Sequence, residues 1–369
     1  MAKGIYVGVD NTARKVQKAY VGADNKARKV KKGYIGVGGI ARPFYSAEQK
    51  LVYYGTLSEL SGQQTGLAAT TVGDYALFGG GSSSSAKIDT YTSKLVKGTA
   101  PNLSSARYDL AATTVGDYAL FGGGRISSSS TSSAVDTYTS NLVKGTATGL
   151  SYSYGNNLAA TTVGNYALFG GGNGSSNRAE AYSSSLTRTT LDKMLNDNFT
   201  VLSLAATAVG NYAIFAGGYS GGSYLANVTA YSSSLVKSTP ANLSKGRRYL
   251  AATTVGDYAL FGGGYSGSRV STVDTYTSSL VKGTTTNLSA ARQTLAATTV
   301  GDYALFGGGA TSGSSYSAIV DTYTSKLVKG TADNLSSGRK ALAATTIGNY
   351  AIFGGGDGGY KVVDAYQVI

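Results

Sequence analysis

The side chains that could do chemistry in this 369-residue chain are carboxylates, tyrosines, lysines and arginines, because the sequence contains no histidine and no cysteine. The missing histidines remove the commonest general base and metal ligand, and the missing cysteines remove thiolate sites and disulfides. Glycoside hydrolysis needs only two carboxylates, and a lyase can use Tyr with Arg or Lys, so carbohydrate chemistry stays open. The sequence gives no further constellation, and we assign no catalytic residue, no metal and no cofactor.

The carboxylates fall at two repeated positions, which favours structural roles. The first position follows a glycine and exchanges freely with asparagine, as expected for a turn residue that tolerates positive φ; it holds Asp74, Asp117, Asp257 and Asp302, with Asn165, Asn211 and Asn349 in the other copies. The second position holds Asp89, Asp136, Asp274, Asp321 and Asp364, with Glu180 and Thr229 as replacements. We predict that this second set makes hydrogen bonds to a neighbouring strand.

These positions belong to a unit that occurs seven times with a period of about 46 residues, the period of a propeller or a solenoid. Each copy opens with a segment like "LAATTVGDYALFGGG", at Leu67, Leu110, Leu158, Leu204, Leu250, Leu295 and Leu342. Two apolar runs separated by Gly-Asp or Gly-Asn predict a tight hairpin. A variable Ser/Gly/Tyr loop, a "VDTYTS" strand and a "LVKGT" strand complete four strands, which predicts an all-β, seven-bladed propeller. The glycine triplets, such as 122–124 and 307–309, are expected to allow close backbone packing rather than to bind phosphate.

The two ends of the array predict how the ring closes. The last unit stops at "VVDAYQVI" without a fourth strand, whereas "KLVYYGTLSELS" at the start aligns with the fourth-strand segment "KLVKGTADNLSS" of another unit. Residues 50–60 are therefore expected to complete the last blade and to remove two open sheet edges. We divide the chain into residues 1–45 and a propeller over residues 46–369.

The glycine pair after an apolar strand, the later tyrosine and the hairpin spacing resemble the kelch repeat over residues 50–369. Kelch units usually carry a tryptophan on the fourth strand; this chain has none, and Leu142, Leu280 and Leu327 lie near its place. The resemblance implies the propeller fold and leaves function open, because kelch propellers include enzymes, scaffolds and adhesins.

In kelch propellers the loops between strands two and three share one face with the loops between blades, and in this chain those are the variable loops. Adaptable loops rich in Tyr, Ser, Gly and Arg suit recognition of sugars or protein surfaces. The candidate ligand-binding residues are Arg107, Tyr108, Arg125, Tyr152, Tyr154, Arg178, Tyr219, Tyr224, Arg247, Arg248, Tyr249, Tyr265, Arg269, Arg292, Tyr316, Arg339 and Tyr360.

The four periodic arginines of this face have an alternative interpretation. Arg107, Arg247, Arg292 and Arg339 each stand three residues before the opening leucine, so they could instead brace adjacent blades.

The junction over residues 186–207 is longer than the others and partly helical in pattern. Its Asp192 and Asp197 are interpreted as cap and turn residues.

The net charge of +13 is concentrated before the propeller. Residues 1–45 hold ten Lys or Arg against two Asp, within three copies of a 14-residue Tyr-Val/Ile-Gly repeat, and the start lacks the apolar stretch of a signal peptide. This segment, "KGIYVGVDNTARKVQKAYVGADNKARKVKKGYIGVGGIAR", resembles the short repeats at the start of tail-associated and other virion proteins of bacteriophages and prophages. The resemblance implies attachment to a particle through residues that include Tyr6, Arg14, Lys15, Tyr20, Arg28, Lys29, Tyr34 and Arg42.

The sequence thus predicts a non-enzymatic virion protein (tail, fibre or head decoration), made in the bacterial cytoplasm and released without a signal peptide. Its expected partners are other virion proteins through residues 1–45 and a host-surface glycan or protein through the propeller, with a homo-oligomer possible. Membrane insertion is not expected, and the Val, Ile and Tyr content of the basic segment disfavours nucleic acid. The alternatives are a carbohydrate-active hydrolase or lyase and a cytoplasmic kelch-type scaffold.

Overall fold

The computed structural model of the protein describes residues 6–9, 12–15, 19–23, 26–30, 32–37, 40–46, 49–82, 85–152, 155, 158–172, 177–195, 200–358 and 361–369, with side chains from residue 49 onward. The chain forms two compact units, Met1–Lys50 and Leu51–Ile369. No helix occurs among the described residues, and hence none that could cross a membrane.

The first unit contains three antiparallel hairpins, one for each copy of the short repeat. Their strands are β1 (Tyr6–Val9) with β2 (Thr12–Lys15), β3 (Ala19–Ala23) with β4 (Lys26–Val30), and β5 (Lys32–Val37) with β6 (Ile40–Ser46). Tyr6 is opposite Lys15 and Tyr20 is opposite Lys29, so the first two repeats share one register. All eight predicted attachment residues lie on these strands.

The second unit consists of seven four-stranded antiparallel sheets, which confirms the predicted propeller. Blades 1 to 3 are β8 (Ala68–Val72), β9 (Tyr75–Gly79), β10 (Ile88–Thr92) and β11 (Lys97–Ala100); β12 (Ala111–Val115), β13 (Tyr118–Gly122), β14 (Val135–Thr139) and β15 (Lys144–Ala147); and β16 (Ala159–Val163), β17 (Tyr166–Gly170), β18 (Arg178–Ser183) and β19 (Arg188–Lys193). Blade 4 is β20 (Ala205–Val209), β21 (Tyr212–Ala216), β24 (Val228–Ser232) and β25 (Lys237–Ser238), and its variable loop adds the hairpin β22 (Tyr219–Ser220) and β23 (Ser223–Tyr224).

The remaining blades follow the same order. Blade 5 is β26 (Ala251–Val255), β27 (Tyr258–Gly262), β28 (Val273–Thr277) and β29 (Lys282–Thr284); blade 6 is β30 (Ala296–Val300), β31 (Tyr303–Gly307), β32 (Val320–Thr324) and β33 (Lys329–Ala332); blade 7 is β34 (Ala343–Ile347), β35 (Tyr350–Gly354), β36 (Val363–Val368) and β7 (Leu51–Thr56). The first strand of each blade contacts the first strands of both neighbours, so these strands line the centre of a closed ring.

The apolar core lies between blades rather than within them. The second strand, "YALFG", is buried along almost its whole length, because its two faces pack against the sheets on either side. Leu77 of blade 1 and Phe121 of blade 2 belong to one cluster, and each other interface repeats this arrangement. A Cβ added at Gly122 would lie 2.8 Å from Phe169 of the next blade, which explains the first glycine of the triplet as a residue of close packing.

The ring closes as the sequence predicts. β7 pairs antiparallel with β36, from Asp364 opposite Thr56 to Val368 opposite Leu51, with a register shift between Ala365 and Tyr366. The Tyr53 hydroxyl donates a hydrogen bond to Asp364 Oδ1 over 2.6 Å. Burial, followed by this bond to Asp364, raises the pKa of Tyr53 to about 12. A strand from the beginning of the propeller thus supplies a specific polar contact to its last strand.

The junction over residues 186–207 differs from its prediction. Its described part contains strand β19 and no helix, and Leu191, Met194 and Leu195 pack into the core. Burial of these apolar side chains overrides the helical pattern. Asp192 lies on β19, where its carbonyl accepts a hydrogen bond from Tyr231, and Asp197 is outside the described residues.

Threonine side chains join the first strands around the centre of the ring. In six of the seven contacts between neighbouring first strands, a hydroxyl from the fourth residue meets a hydroxyl from the third residue of the preceding blade, as in Thr114 with Thr70 at 2.8 Å and Thr254 with Thr207 at 2.9 Å. Thr114 also donates to the Thr71 carbonyl. The series is interrupted in blade 4, where Ala208 stands at the fourth position.

Replacing Ala208 by threonine should therefore stabilise the propeller. The new hydroxyl would meet Thr161 and the Thr162 carbonyl, and a hydrogen bond of this kind contributes about 1 kcal/mol to the free energy of unfolding. Chemical denaturation of Ala208→Thr should show this gain, whereas Thr254→Ala should show a loss of similar size. A destabilised Ala208→Thr variant would contradict the threonine ring as a source of stability.

Candidate functional site

A tyrosine on the third strand of each blade holds the loop that leads into that blade. These seven side chains are fully buried, and each hydroxyl donates to a backbone carbonyl in the segment that precedes its blade, as from Tyr138 to Pro101 over 2.8 Å. The same contact recurs in every blade, from Tyr91, Tyr182, Tyr231, Tyr276, Tyr323 and Tyr366. Burial is the main cause that raises the pKa of Tyr276, so the hydroxyl stays protonated and keeps donating.

The acids of the third strand also hold these loops, which confirms their structural role. The predicted hydrogen bond to a neighbouring strand is present at Asp364, which accepts from Tyr53 of β7. Asp321 is fully buried and accepts hydrogen bonds from the backbone N–H and the hydroxyl of Ser289, in the loop between blades 5 and 6, a partner that the sequence did not predict. The Oδ1 atom of Asp321 also lies 3.2 Å from Lys329 Nζ. Serine contacts of this kind reach Asp89, Asp136, Glu180, Asp274 and Asp364 as well.

The four periodic arginines are buried, so their assignment to the ligand-binding set is wrong. Arg107, Arg247, Arg292 and Arg339 are 0% exposed, and each forms a salt bridge with the third-strand aspartate of the following blade. The Arg292 guanidinium lies 2.6 Å from Asp321 and donates to the carbonyls of Phe306 and Ile319.

The backbone of the same residue belongs to the preceding blade. The Arg292 N–H donates to the Val270 carbonyl of blade 5, while its side chain enters blade 6. Burial lowers the pKa of Arg292, and the charge of Asp321 opposes that shift. These arginines thus brace adjacent blades, as the alternative reading held.

Arg292→Gln should destabilise the protein, because it removes the fully buried guanidinium from Asp321 and leaves only the partly exposed Lys329 as its cation. Breaking a buried pair typically costs about 3–5 kcal/mol in the free energy of unfolding. Chemical denaturation checks this value, and Arg292→Gln combined with Asp321→Asn should recover part of the loss. A change below about 0.5 kcal/mol would show that the pair does not hold the blades.

A small ladder of backbone pairs, which we call the rim ladder, displays the variable residues. In blade 5, Arg248 directly follows the buried Arg247 and pairs with Tyr265, which follows the glycines and pairs in turn with Arg269. Residues directly opposite each other on antiparallel chains project to the same side. The equivalent residues are Tyr108, Arg125 and Thr131 in blade 2, Leu202, Tyr219 and Tyr224 in blade 4, Gln293, Ala310 and Tyr316 in blade 6, and Lys340 and Asp357 in blade 7.

The rim ladder brings five predicted residues together where blades 4 and 5 meet, and Tyr249, which follows Arg248 in the chain, adds a sixth. The Arg248 guanidinium lies 4.7 Å from the ring centre of Tyr219 and 4.8 Å from that of Tyr249, with Tyr224 at 5.8 Å and Tyr265 at 5.9 Å. The Tyr224 and Tyr265 rings are themselves 5.8 Å apart across the blade boundary. We call these five residues and Arg269 the tyrosine–arginine cluster; all six are half-buried.

Two smaller groups use the same ladder positions. In one, the Tyr316 hydroxyl donates to Asp357 over 2.9 Å, and Lys340 Nζ lies 3.4 Å from the same carboxylate and 4.9 Å from the Tyr316 ring centre. In the other, Arg125 lies 5.7 Å from the Tyr108 ring centre and donates to backbone carbonyls of its own loop.

The remaining predicted residues lie apart from these groups or outside the description. Tyr152 is 39% exposed on the loop before blade 3. Arg178 begins the third strand of blade 3 and donates to the Leu191 carbonyl over 3.2 Å. Tyr154 and Tyr360 lie outside the described residues. Sequence reasoning missed Lys340 and Gln293, although their position directly after the periodic arginine would have found them.

The centre of the loop face is a cavity of about 190 Å³ lined by the opening leucines and the residues before them, which include Asp109, Tyr249 and Thr294. Backbone hydrogen bonds join the residues that precede the opening leucines. The Tyr249 N–H donates to the Ser203 carbonyl, and the Thr294 N–H donates to the Tyr249 carbonyl. Asp109 is the acidic residue among the described residues that line this cavity. Burial raises the pKa of Asp109 to about 6, and the charge of Arg125 opposes the rise.

Asp109→Asn should stabilise the protein above pH 6 and not at pH 4. A raised pKa means that the folded state binds the proton more tightly, so the wild-type protein loses stability as the pH rises through about 6. Asparagine removes the charge and tolerates the positive φ of 55° at this position. We expect the melting temperature to rise by about 2–4 °C at pH 8. An equal shift at both pH values would contradict a buried ionised carboxylate.

The comparisons with known proteins agree with the fold. No protein-family model matches the chain, and no curated protein sequence matches it. Among solved structures the chain is similar to the "Structure of YjhT", with a TM-score of 0.56 and 13% identity over 85% of this chain and 99% of that one. At this identity the likeness shows a shared fold and assigns neither ligand nor activity.

The geometry of the loop face suits binding. The third-strand carboxylates are buried and occupied by Ser, Arg and Lys partners, so they cannot contact a substrate. Within the described ranges, no group of three acidic side chains could hold a metal ion. The tyrosine–arginine cluster instead offers flat aromatic surface with hydroxyl and guanidinium donors.

Proposed function

We propose that this chain is a non-enzymatic bacteriophage or prophage virion protein whose propeller binds a glycan of the host surface. The observation that carries the proposal is the rim ladder, a backbone pairing that recurs in blades 2, 4, 5, 6 and 7 and displays residues that differ from blade to blade. Aromatic and arginine side chains on such positions supply contact area and hydrogen bonds at low entropic cost. The tyrosine–arginine cluster is the densest example.

The N-terminal unit supports the virion part of the proposal. Three copies of one basic hairpin are too small to fold alone and suit ordering against a larger partner. The sequence resemblance to repeats at the start of virion proteins points the same way.

Binding to purified host cell walls tests the glycan part. The full chain should sediment with the walls, and Tyr219→Ala with Tyr265→Ala should weaken binding at least tenfold because the aromatic contact surface is lost. Tyr54→Ala is the matched control, because Tyr54 is an exposed tyrosine on the closing strand. Release of new reducing ends or of unsaturated sugars would show an enzyme instead, and binding lost after protease treatment of the walls would show a protein receptor.

Two measurements test the attachment part. Immunogold labelling of purified particles should place the chain at one fixed site, and its absence from particles would contradict the proposal. Retention on DNA that falls steeply with salt would favour the rival interpretation of the basic unit as a nucleic-acid-binding arm.

A further inference from the structure

The tyrosine–arginine cluster differs in charge from the other groups on the rim ladder. Lys340 is paired with the Asp357 carboxylate, and Arg125 donates to carbonyls of its own loop. Among the described residues, neither Arg248 nor Arg269 has a salt bridge or a side-chain hydrogen bond. The Nε atoms of both are buried without a partner. The cluster is therefore cationic, with unused donors.

This arrangement favours an anion. The terminal Nη groups of Arg248 and Arg269 have no acceptor among the described residues, and an anion at the surface would accept hydrogen bonds from them. Guanidinium groups present donors in a fixed fork that matches a carboxylate or a phosphate. The Tyr219 and Tyr249 rings, 4.7 and 4.8 Å from the guanidinium carbon, already hold Arg248 in place, so little side-chain entropy remains to be lost on binding.

The surrounding tyrosines indicate what carries the anion. The rings of Tyr219, Tyr224, Tyr249 and Tyr265 have faces for the apolar side of a sugar ring, and their hydroxyl groups make no side-chain hydrogen bond among the described residues. A small inorganic ion would use the arginines and leave these groups idle. A saccharide with a charged substituent uses both.

We propose that the tyrosine–arginine cluster is a subsite for a saccharide that bears an anionic group, with Arg248 and Arg269 receiving the charge and the tyrosines receiving the ring. The charge belongs to either the carboxylate of a uronic acid or the phosphate of a sugar-phosphate polymer. This inference rests on the proposed glycan-binding function and narrows its ligand class.

Calorimetry on the full chain tests it with oligogalacturonate, a sugar-phosphate oligomer and neutral oligogalactose of matched length. At least one acidic probe should bind at least tenfold more tightly than the neutral one, and the acidic probe that binds identifies the source of the charge. Tight binding should weaken at 0.5 M salt. Arg248→Gln and Arg269→Gln should each weaken it at least tenfold.

The controls separate a local contact from net charge and from folding. Lys326→Gln removes one charge from an exposed turn on the opposite face and should change binding less than twofold. Arg248→Lys should bind more weakly than wild type but better than Arg248→Gln. Melting temperatures near wild type show that the variants fold, and two independent arginines keep the test open if one variant fails.

The outcomes distinguish the inference from the function beneath it. Equal affinity for acidic and neutral probes, or unchanged binding by folded Arg248→Gln and Arg269→Gln, would overturn the anionic subsite while leaving glycan binding in place. Failure of every saccharide and of host cell walls to bind would overturn both.

Discussion

The loop face depends on one buried interaction, the pair between an inter-blade arginine and the third-strand aspartate of the following blade. The backbone of Arg247 bonds to blade 4, and its guanidinium lies 2.9 Å from Asp274 in blade 5. Two sheets and the loop between them are thereby fixed at one residue. The next residue, Arg248, forms no salt bridge among the described residues and lies on the rim ladder. Structural and displayed positions are thus adjacent in the chain, and the first sets the position of the second.

Blades 1, 3 and 4 lack the pair between an inter-blade arginine and a third-strand aspartate. Blade 1 has Gln64 in place of the arginine, and Asp89 relies on Lys97 at 3.2 Å. Blade 4 lacks both partners, since Val201 and Thr229 replace them, and the Thr229 hydroxyl donates to the Met194 carbonyl. In blade 4 the acid and its cation are thus replaced together, which avoids an unpaired buried ion. In blade 3 the buried Glu180 has no salt bridge among the described residues and accepts hydrogen bonds from the Ser151 N–H. The neutral junction of blade 4 adjoins the tyrosine–arginine cluster.

Much of the fold could be predicted from the sequence, because the 46-residue period, the Gly-Asp turns and the displaced fourth strand each have a direct physical meaning. The site could be predicted only in part. Periodicity marks Arg247 but cannot decide between burial and display, which depends on a partner 27 residues away. Nor does the sequence reveal that Leu95, Leu142 and Leu280 take positive φ near 60° in turns, since their packing against the core holds them there.

A crystal structure of the full chain with an acidic oligosaccharide from the host wall tests the central claim, that a constant framework displays a variable binding surface on the rim ladder. The account predicts a sugar ring against the Tyr219 and Tyr265 rings, with its charged group within hydrogen-bond distance of Arg248 or Arg269. An oligosaccharide bound in the central cavity, or on the face of the tight turns, would contradict it.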